Sequence, residues 1–123
     1  RGVEDTPAFR KGMNNVTTAS DLVALFIALH SRQVGDSTAT FDMLGILEQQ
    51  AFNTQIPAGL PPGTRMAHKT GSITATRHDA GLVYPPGKAP YAIAILTRNI
   101  ADPAVADALA ADCSRIIWEW LAK

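Results

Sequence analysis

Apolar side chains follow two different spacings along this chain, and the change between them separates two groups of predicted elements. The run Thr17-Thr18-Ala19-Ser20-Asp21 supplies hydroxyl caps and an acidic first turn, and apolar residues then recur at three- and four-residue steps. This pattern predicts a helix over residues 19–32. A second helix is predicted over residues 38–52. Its predicted buried stripe consists of Phe41, Leu44, Ile46 and Leu47.

Two stretches lack an apolar period. Residues 1–16 mix charges, glycines and the pair Asn14 and Asn15, which predicts a surface loop. Residues 56–63 contain three prolines and two glycines, which predicts a connector that leads the chain into another layer. Because the chain begins at Arg1 within the first of these stretches, we expect it to be part of a longer protein.

From Thr64 onward the pattern changes to short β-type runs. Strands are predicted at residues 65–72, 77–84 and 91–97. Two prolines, a glycine and a lysine at 85–88 form a turn signal, so the last two strands are expected to pair as an antiparallel hairpin. Three consecutive strands of this kind predict an antiparallel meander.

A long helix is predicted to end the chain. Asp102 and Pro103 suit its first positions. We expect it to cover one face of the strands and to pack Trp118 and Trp120 against them. Its predicted apolar stripe consists of Val105, Leu109, Cys113, Ile116 and Trp120.

The predicted elements define the α+β class, with a loop and two helices in residues 1–63 and strands followed by a helix in residues 64–123. A chain of 123 residues with 46% apolar residues suits one domain. Eleven basic residues balance eleven acidic ones, which gives no long-range field for nucleic acid or an anionic membrane. No run approaches the roughly 18 apolar residues of a membrane span.

Cysteine and histidine give no signal for a disulfide or a metal site. Cys113 is the single cysteine, and it is interpreted as a small core residue of the last helix. His30, His68 and His78 lack the spacing of a zinc set. We interpret His68 as a packing residue, and His78 and Asp79 as structural residues of a strand start, with His78 at the border of a groove as the alternative.

The sharpest chemical signal is the tripeptide Lys69-Thr70-Gly71, followed by Ser72. On the two-residue period of a strand, Lys69 and Gly71 face one way while Thr70 and Ser72 face the other. A cation, two hydroxyls and a bare backbone suit an anionic ligand that lies along an exposed strand edge. The alternative is an ordinary strand with a solvated lysine, since such a tripeptide also occurs by chance.

The surroundings of this tripeptide resemble one family. Residues 65–99, RMAHKTGSITATRHDAGLVYPPGKAPYAIAILTRN, are similar in order and spacing to the strand pair of class A β-lactamases. Residues 14–22 resemble the segment that leaves the omega-type loop of that family, and residues 56–63 resemble its I-P-x-G-L-P-x-G connector. The chain thus resembles the C-terminal part of a penicillin-recognising serine hydrolase.

This resemblance implies the C-terminal part of the β-lactamase/transpeptidase-like fold, an antiparallel sheet flanked by helices. In that fold the K-T-G strand lines a groove beside a serine that attacks the substrate carbonyl. The resemblance implies that Lys69, Thr70 and Ser72 bind the carboxylate of a β-lactam or peptide, and that Gly71 permits close approach. It also implies that the Ser72 N–H donates to the oxyanion. No cofactor is implied, and the family suggests a periplasmic or extracellular location.

The nucleophile motif of the family is absent from these residues. None of the five serines has a lysine three positions later, and no S-D-N motif occurs. Glu4 lies where the omega-type loop would end, but a solvated loop carboxylate is preferred over a general base there. We therefore expect the isolated chain to be inactive and the N-terminal remainder of its parent to carry the nucleophile.

Three alternatives remain open at this point. The parent could be a penicillin-binding or D-Ala-peptidase-like enzyme. It could also be a non-catalytic module that binds a carboxylate-bearing peptide or a partner strand on the same edge. Finally, the tripeptide could be accidental in an unrelated α+β domain. An S-x-x-K motif in the preceding sequence would favour an enzyme.

Overall fold

A computed structural model of the chain describes residues 6–13 and 16–121. Its elements follow in the order α1 (Thr6–Arg10), α2 (Ala19–His30), α3 (Ser37–Glu48), a 3₁₀ turn (Ile56–Gly59), β1 (Arg65–Ile73), β2 (Thr76–Tyr84), β3 (Tyr91–Arg98) and α4 (Pro103–Leu121). Helices on both sides of an antiparallel sheet confirm the predicted α+β class. The division at residues 63 and 64 stays a prediction.

The start of the chain differs from its prediction. The loop predicted over residues 1–16 is wrong for Thr6–Arg10, which form the short helix α1. Pro7 is compatible with the first turn of a helix, where a missing N–H costs nothing. Five residues are too few to show an apolar period, so the sequence pattern gave no sign of this helix.

Helix α2 begins where its sequence signal placed it. The Thr18 hydroxyl accepts from the Asp21 N–H at 3.1 Å, and the Asp21 carboxylate accepts from the Thr18 N–H at 3.1 Å. This reciprocal capping box satisfies two backbone donors that the helix leaves free. Phe26 and Leu29 on its inner side are buried.

The three strands form the predicted meander, in the order β1-β2-β3. A two-residue loop joins β1 to β2, because Ile73 pairs with Thr76. Further along the same pair of strands, Lys69 lies opposite Ala80 and Ser72 lies opposite Arg77. Among the described residues β1 has a strand partner on one side only, so its other side is a free sheet edge.

Two apolar clusters lie on opposite faces of this sheet. On one face, Phe26 and Leu29 of α2 pack against Ala80 and Leu82 of β2. On the other face, the 3₁₀ turn and α4 cover residues that β1, β2 and β3 contribute. The buried members of this second cluster are Ile56, Leu60, Met66, Val83 and Ile93. The sheet is therefore held between two helical layers, and its β1 edge lies between them.

The stripe predicted for the second helix is correct for two of its four residues. Leu44 and Leu47 pack against the α2 cluster. Phe41 is 76% exposed and Ile46 is 70% exposed, so their assignment to the buried side is wrong. Thr40 is buried instead, where its hydroxyl donates to carbonyl oxygens at the start of α3. Helix α3 also ends at Glu48, before the predicted residue 52.

The stripe predicted for the last helix is on the wrong side. Val105, Leu109, Ile116 and Trp120 are exposed, and Cys113 is only half-buried. The buried residues of α4 are small ones, Ala106, Ala110 and Ser114. Small residues occupy the buried side of α4 because this helix lies very close to the 3₁₀ turn. A Cβ on Gly59 of that turn would overlap the Ala111 carbonyl of α4. Trp118 packs against the core as expected, but Trp120 does not.

Candidate functional site

The residues of the K-T-G signal lie where β1 leaves the core. Met66, Ala67 and His68 are buried, whereas Lys69, Gly71 and Ser72 are exposed and Thr70 is half-buried. An open groove of about 310 Å³ runs along this part of the strand. We call it the edge groove, and its lining residues are Phe52, Gln55, Lys69, Thr70, Gly71, Ser72 and Arg77. All four predicted site residues thus line one groove.

The backbone N–H of Ser72 faces the free side of β1. Ser72 is paired with Arg77 on β2, and the Arg77 N–H and C=O both bond the Thr97 hydroxyl on β3. Since the backbone groups of Arg77 turn toward β3, Ser72 and Arg77 are a pair that exchanges no hydrogen bonds. In such a pair both residues direct their backbone groups outward. The Ser72 N–H is therefore available to a ligand at the sheet edge.

Lys69 extends its side chain to the same edge. Its Nζ donates to the Thr70 carbonyl at 2.6 Å. Lys69 also borders a second, apolar groove of about 300 Å³ between α2 and the sheet, together with Leu25, Phe26 and His78. The lysine therefore lies between an apolar surface and the polar edge groove. His78 lines the apolar groove and is not among the residues that line the edge groove.

Arg77 is a member of the edge groove that sequence reasoning missed. Its guanidinium donates to Asp107 of α4 through Nε at 2.8 Å and through Nη2 at 2.7 Å. The hydrogen bond to Asp107 raises the pKa of Arg77 further, so the group is cationic. A signal was present: in a meander of the predicted strands, Arg77 falls opposite Ser72.

A buried polar pair lies directly behind this site. His68 Nδ1 is 2.8 Å from Asp79 Oδ1, and the two side chains are 2% and 0% exposed. The other Asp79 oxygen accepts from the Ile56 N–H at 3.1 Å. His68 thus has the buried position that was predicted, and Asp79 binds a neighbour as a structural residue would.

The edge groove offers mainly donors. Lys69 and Arg77 bring two cations, Thr70 and Ser72 bring hydroxyls, and the Ser72 backbone brings an N–H. Such a set fits a carboxylate together with an oxygen that gains negative charge. Within residues 6–13 and 16–121, no group of three or more His, Cys, Asp or Glu side chains could hold a metal ion. Glu4, the weak candidate for a general base, lies outside the described residues.

Comparison with known proteins identifies the family of this chain. The model of the Beta-lactamase enzyme family matches residues 1–121. This chain belongs to that family. A β-lactamase of Streptomyces albus G is 41% identical over 78 residues, which cover 62% of this chain and 25% of the relative.

Solved structures of this family's fold agree with the architecture. The TLA-1 extended-spectrum β-lactamase superposes with a TM-score of 0.86 at 25% identity, and the match covers 98% of this chain and 47% of that one. An acyl-enzyme complex of a PBP-A mutant with penicillin G superposes with a TM-score of 0.84 at 27% identity, covering 90% and 42%. The β-lactamase-like fold is thereby confirmed, and this chain spans less than half the length of either structure.

The helices were also considered as possible membrane spans. Among the helices of the described part of the chain, none is both long and apolar enough to span a bilayer.

Proposed function

We propose that this chain supplies the K-T-G side of the active site of a serine hydrolase that opens a β-lactam, or a related amide or ester, through an acyl-enzyme. The observation that carries the proposal is that Lys69, Arg77 and Ser72, whose N–H faces outward, line one groove at the edge of the sheet. Membership of the Beta-lactamase enzyme family supports the same reaction class.

Each residue has a distinct task in this proposal. Lys69 and Arg77 hold the substrate carboxylate, with the hydroxyls of Thr70 and Ser72 as neutral donors. Gly71 leaves the strand bare, so the substrate backbone can lie against it; no atom lies within 4 Å of where its Cβ would be. The Ser72 N–H donates to the carbonyl oxygen as it becomes an oxyanion during attack.

The attacking serine belongs, in this proposal, to a part of the protein that precedes the chain. The exposed stripe of α4, with Val105, Leu109, Ile116 and Trp120, supports this, because a monomeric protein rarely leaves such a surface bare. The free edge of β1 and the apolar groove beside Lys69 also suit an adjoining segment. We propose that the N-terminal remainder of the protein covers these surfaces, and that the protein works outside the cytoplasm.

A penicillin-binding or peptidase-like enzyme is the second candidate. PBP-A, a structure of the same fold, has been solved as an acyl-enzyme with penicillin G. The two candidates share acylation and differ in how fast water removes the acyl group.

Intact mass spectrometry after exposure to benzylpenicillin tests this proposal. The full-length protein should gain the mass of one penicillin where release is slow, or hydrolyse the penicillin where release is fast, whereas residues 1–123 alone should do neither. A folded full-length protein that neither gains this mass nor hydrolyses benzylpenicillin would contradict the proposal and favour a non-catalytic binding module. Labelling of residues 1–123 alone would show that the nucleophile has been misplaced.

A further inference from the structure

The segment of residues 53–56 is tied to the β1–β2 hairpin by a buried polar chain. The Asn53 side-chain oxygen lies 3.1 Å from His68 Nε2, and His68 Nδ1 lies 2.8 Å from Asp79 Oδ1. The chain closes where the Ile56 N–H donates to Asp79 Oδ2 at 3.1 Å. The contacts therefore run from the segment through both strands and back to the segment.

The direction of these hydrogen bonds indicates which ring nitrogens of His68 carry protons. Asn53 Nδ2 donates to the carbonyls of Gln50 at 3.2 Å and Ala51 at 3.4 Å, so the Asn53 oxygen must face the imidazole. That oxygen is an acceptor, and so is the Asp79 carboxylate on the other side of the ring. With Asp79 ionised, both ring nitrogens face acceptors, and this geometry is satisfied when each nitrogen carries a proton.

We propose that His68 is an imidazolium in a buried ion pair with Asp79, and that this pair positions the edge groove. The pair itself does not line the groove and acts through its neighbours. His68 directly precedes Lys69, and residues 53–56 include Gln55 and directly follow Phe52. Lys69, Gln55 and Phe52 all line the groove. The positioning role rests on the function proposed above. The protonated state of His68 does not depend on it.

The fold makes room for this pair. Gly81 lies opposite His68 on β2, and a Cβ on Gly81 would overlap the Cβ of His68. Lys69 and His78 project by strand alternation from the opposite face of the sheet. Arg77 lies two residues from Asp79 on the same face, where Asp107 of α4 pairs with it. A buried carboxylate without a cation is costly, so Asp79 supplies a strong reason to keep the ring charged.

Breaking the pair should loosen both sides of the groove. The Gln55 side chain has a long hydrogen bond of 3.4 Å from Nε2 to the His78 carbonyl, and Thr54 ties the segment to Asp107 of α4 rather than to the hairpin. Loss of the pair should therefore loosen the segment mainly against β1. A misplacement of about 1 Å by a residue remote from the chemistry can cost about a hundredfold in rate. Lys69 is the nearer site residue, so substrate capture should suffer before the maximal acylation rate.

Nitrogen NMR of the resting full-length protein, labelled in histidine, tests the charge directly. The expected result at neutral pH is a protonated signal for both ring nitrogens of His68, assigned by its loss in His68→Gln. One protonated and one bare nitrogen would overturn the proposal. This measurement needs neither substrate nor a stable variant.

Variants test the positioning role. The test variants are His68→Gln, Asp79→Asn and the double variant. The control variants are His30→Gln and Asp42→Asn, which change exposed surface residues. Each single variant should melt lower than wild type, and the double variant should melt above either single, because it leaves no unpaired charge. The half-saturating penicillin concentration for acylation should rise about tenfold in His68→Gln, with a smaller change in the maximal rate. The controls should match wild type.

Hydrogen exchange separates this proposal from the proposed function. The amides of Ile56 and Lys69 should exchange faster in His68→Gln than in His30→Gln, in protein that has seen no substrate. Unchanged exchange and an unchanged half-saturating concentration would overturn the positioning role. If wild type is never acylated, the proposed function fails, while the NMR and exchange results still decide the ion pair and its effect on the strand.

Discussion

Arg77 of β2 and Asp107 of α4 form a two-point ion pair, with Nε and Oδ1 at 2.8 Å and Nη2 and Oδ2 at 2.7 Å. Thr54 adds a hydrogen bond of 2.7 Å to the same carboxylate. Three separate parts of the chain therefore meet at Asp107. Burial acts to raise the pKa of Asp107, but the hydrogen bonds from Arg77 and Thr54 and the charge of Arg77 hold it below its ordinary value.

Asp107→Asn should lower the free energy of unfolding by about 1.5–3 kcal/mol at neutral pH, the usual worth of hydrogen bonds to a charged group. A lowered pKa stabilises the fold above the unfolded pKa, near 3.8, and that contribution is lost as pH falls through the folded value. Urea unfolding of both proteins from pH 7 to pH 3 should show curves that converge at the acid end. A gap that persists unchanged at pH 3 would contradict the assigned pKa direction.

Gly59→Ala should destabilise the fold by about 1–3 kcal/mol, because its methyl group would overlap the Ala111 carbonyl of α4. Gly45→Ala is the matched control. Gly45 lies inside α3 with open space around it, so alanine there should stabilise by about 0.5–1 kcal/mol. Thermal melting of the two variants checks the sign of each change, and equal effects would mean that α4 does not depend on this close approach.

Local patterns in the sequence were sufficient for the elements of the sheet. The two-residue period and the turn at 85–88 led to the correct strands and meander, and the run from Thr17 to Asp21 marked the start of α2. In α4 the same kind of pattern failed, because the helix is apolar on two sides. The side of α4 that faces the core is the side on which Ala106 and Ala110 permit a close approach. The 3₁₀ turn that α4 approaches is far away in sequence.

The residues of the candidate site likewise include some that a local sequence pattern reveals and some that it does not. Lys69 to Ser72 are adjacent in sequence, so one motif was enough to find them. Arg77 joins them through strand register and a bond to Asp107, thirty residues further on. The protonation of His68 depends on the orientation of Asn53, which follows from contacts that only a three-dimensional structure contains.

Ser72 should respond differently to loss of its hydroxyl and loss of its N–H. Ser72→Ala removes one neutral hydrogen bond, worth about 1 kcal/mol, so acylation should largely survive. Ser72→Pro removes the N–H, and one oxyanion donor is typically worth about a hundred- to a thousandfold in rate. Because this N–H faces away from β2, proline costs the sheet no ladder bond.

Single-turnover acylation of the two full-length variants measures this difference. Circular dichroism and the melting temperature must first match wild type, since proline can distort a strand. A folded Ser72→Pro protein that acylates within a few-fold of wild type, while Ser72→Ala is slower, would mean that the hydroxyl and not the backbone acts.

In the proposed function, the free edge of β1 captures the substrate through Lys69. The most direct test is the second-order rate constant for acylation of the full-length Lys69→Ala protein by a fluorescent penicillin, with Lys88→Ala in the β2–β3 turn as the matched control. Removing a charged hydrogen bond worth about 1.5–3 kcal/mol should lower that constant about ten- to a hundredfold. The Lys88→Ala protein should keep the wild-type value. An unchanged rate constant in folded Lys69→Ala would mean that this lysine does not take part in substrate capture.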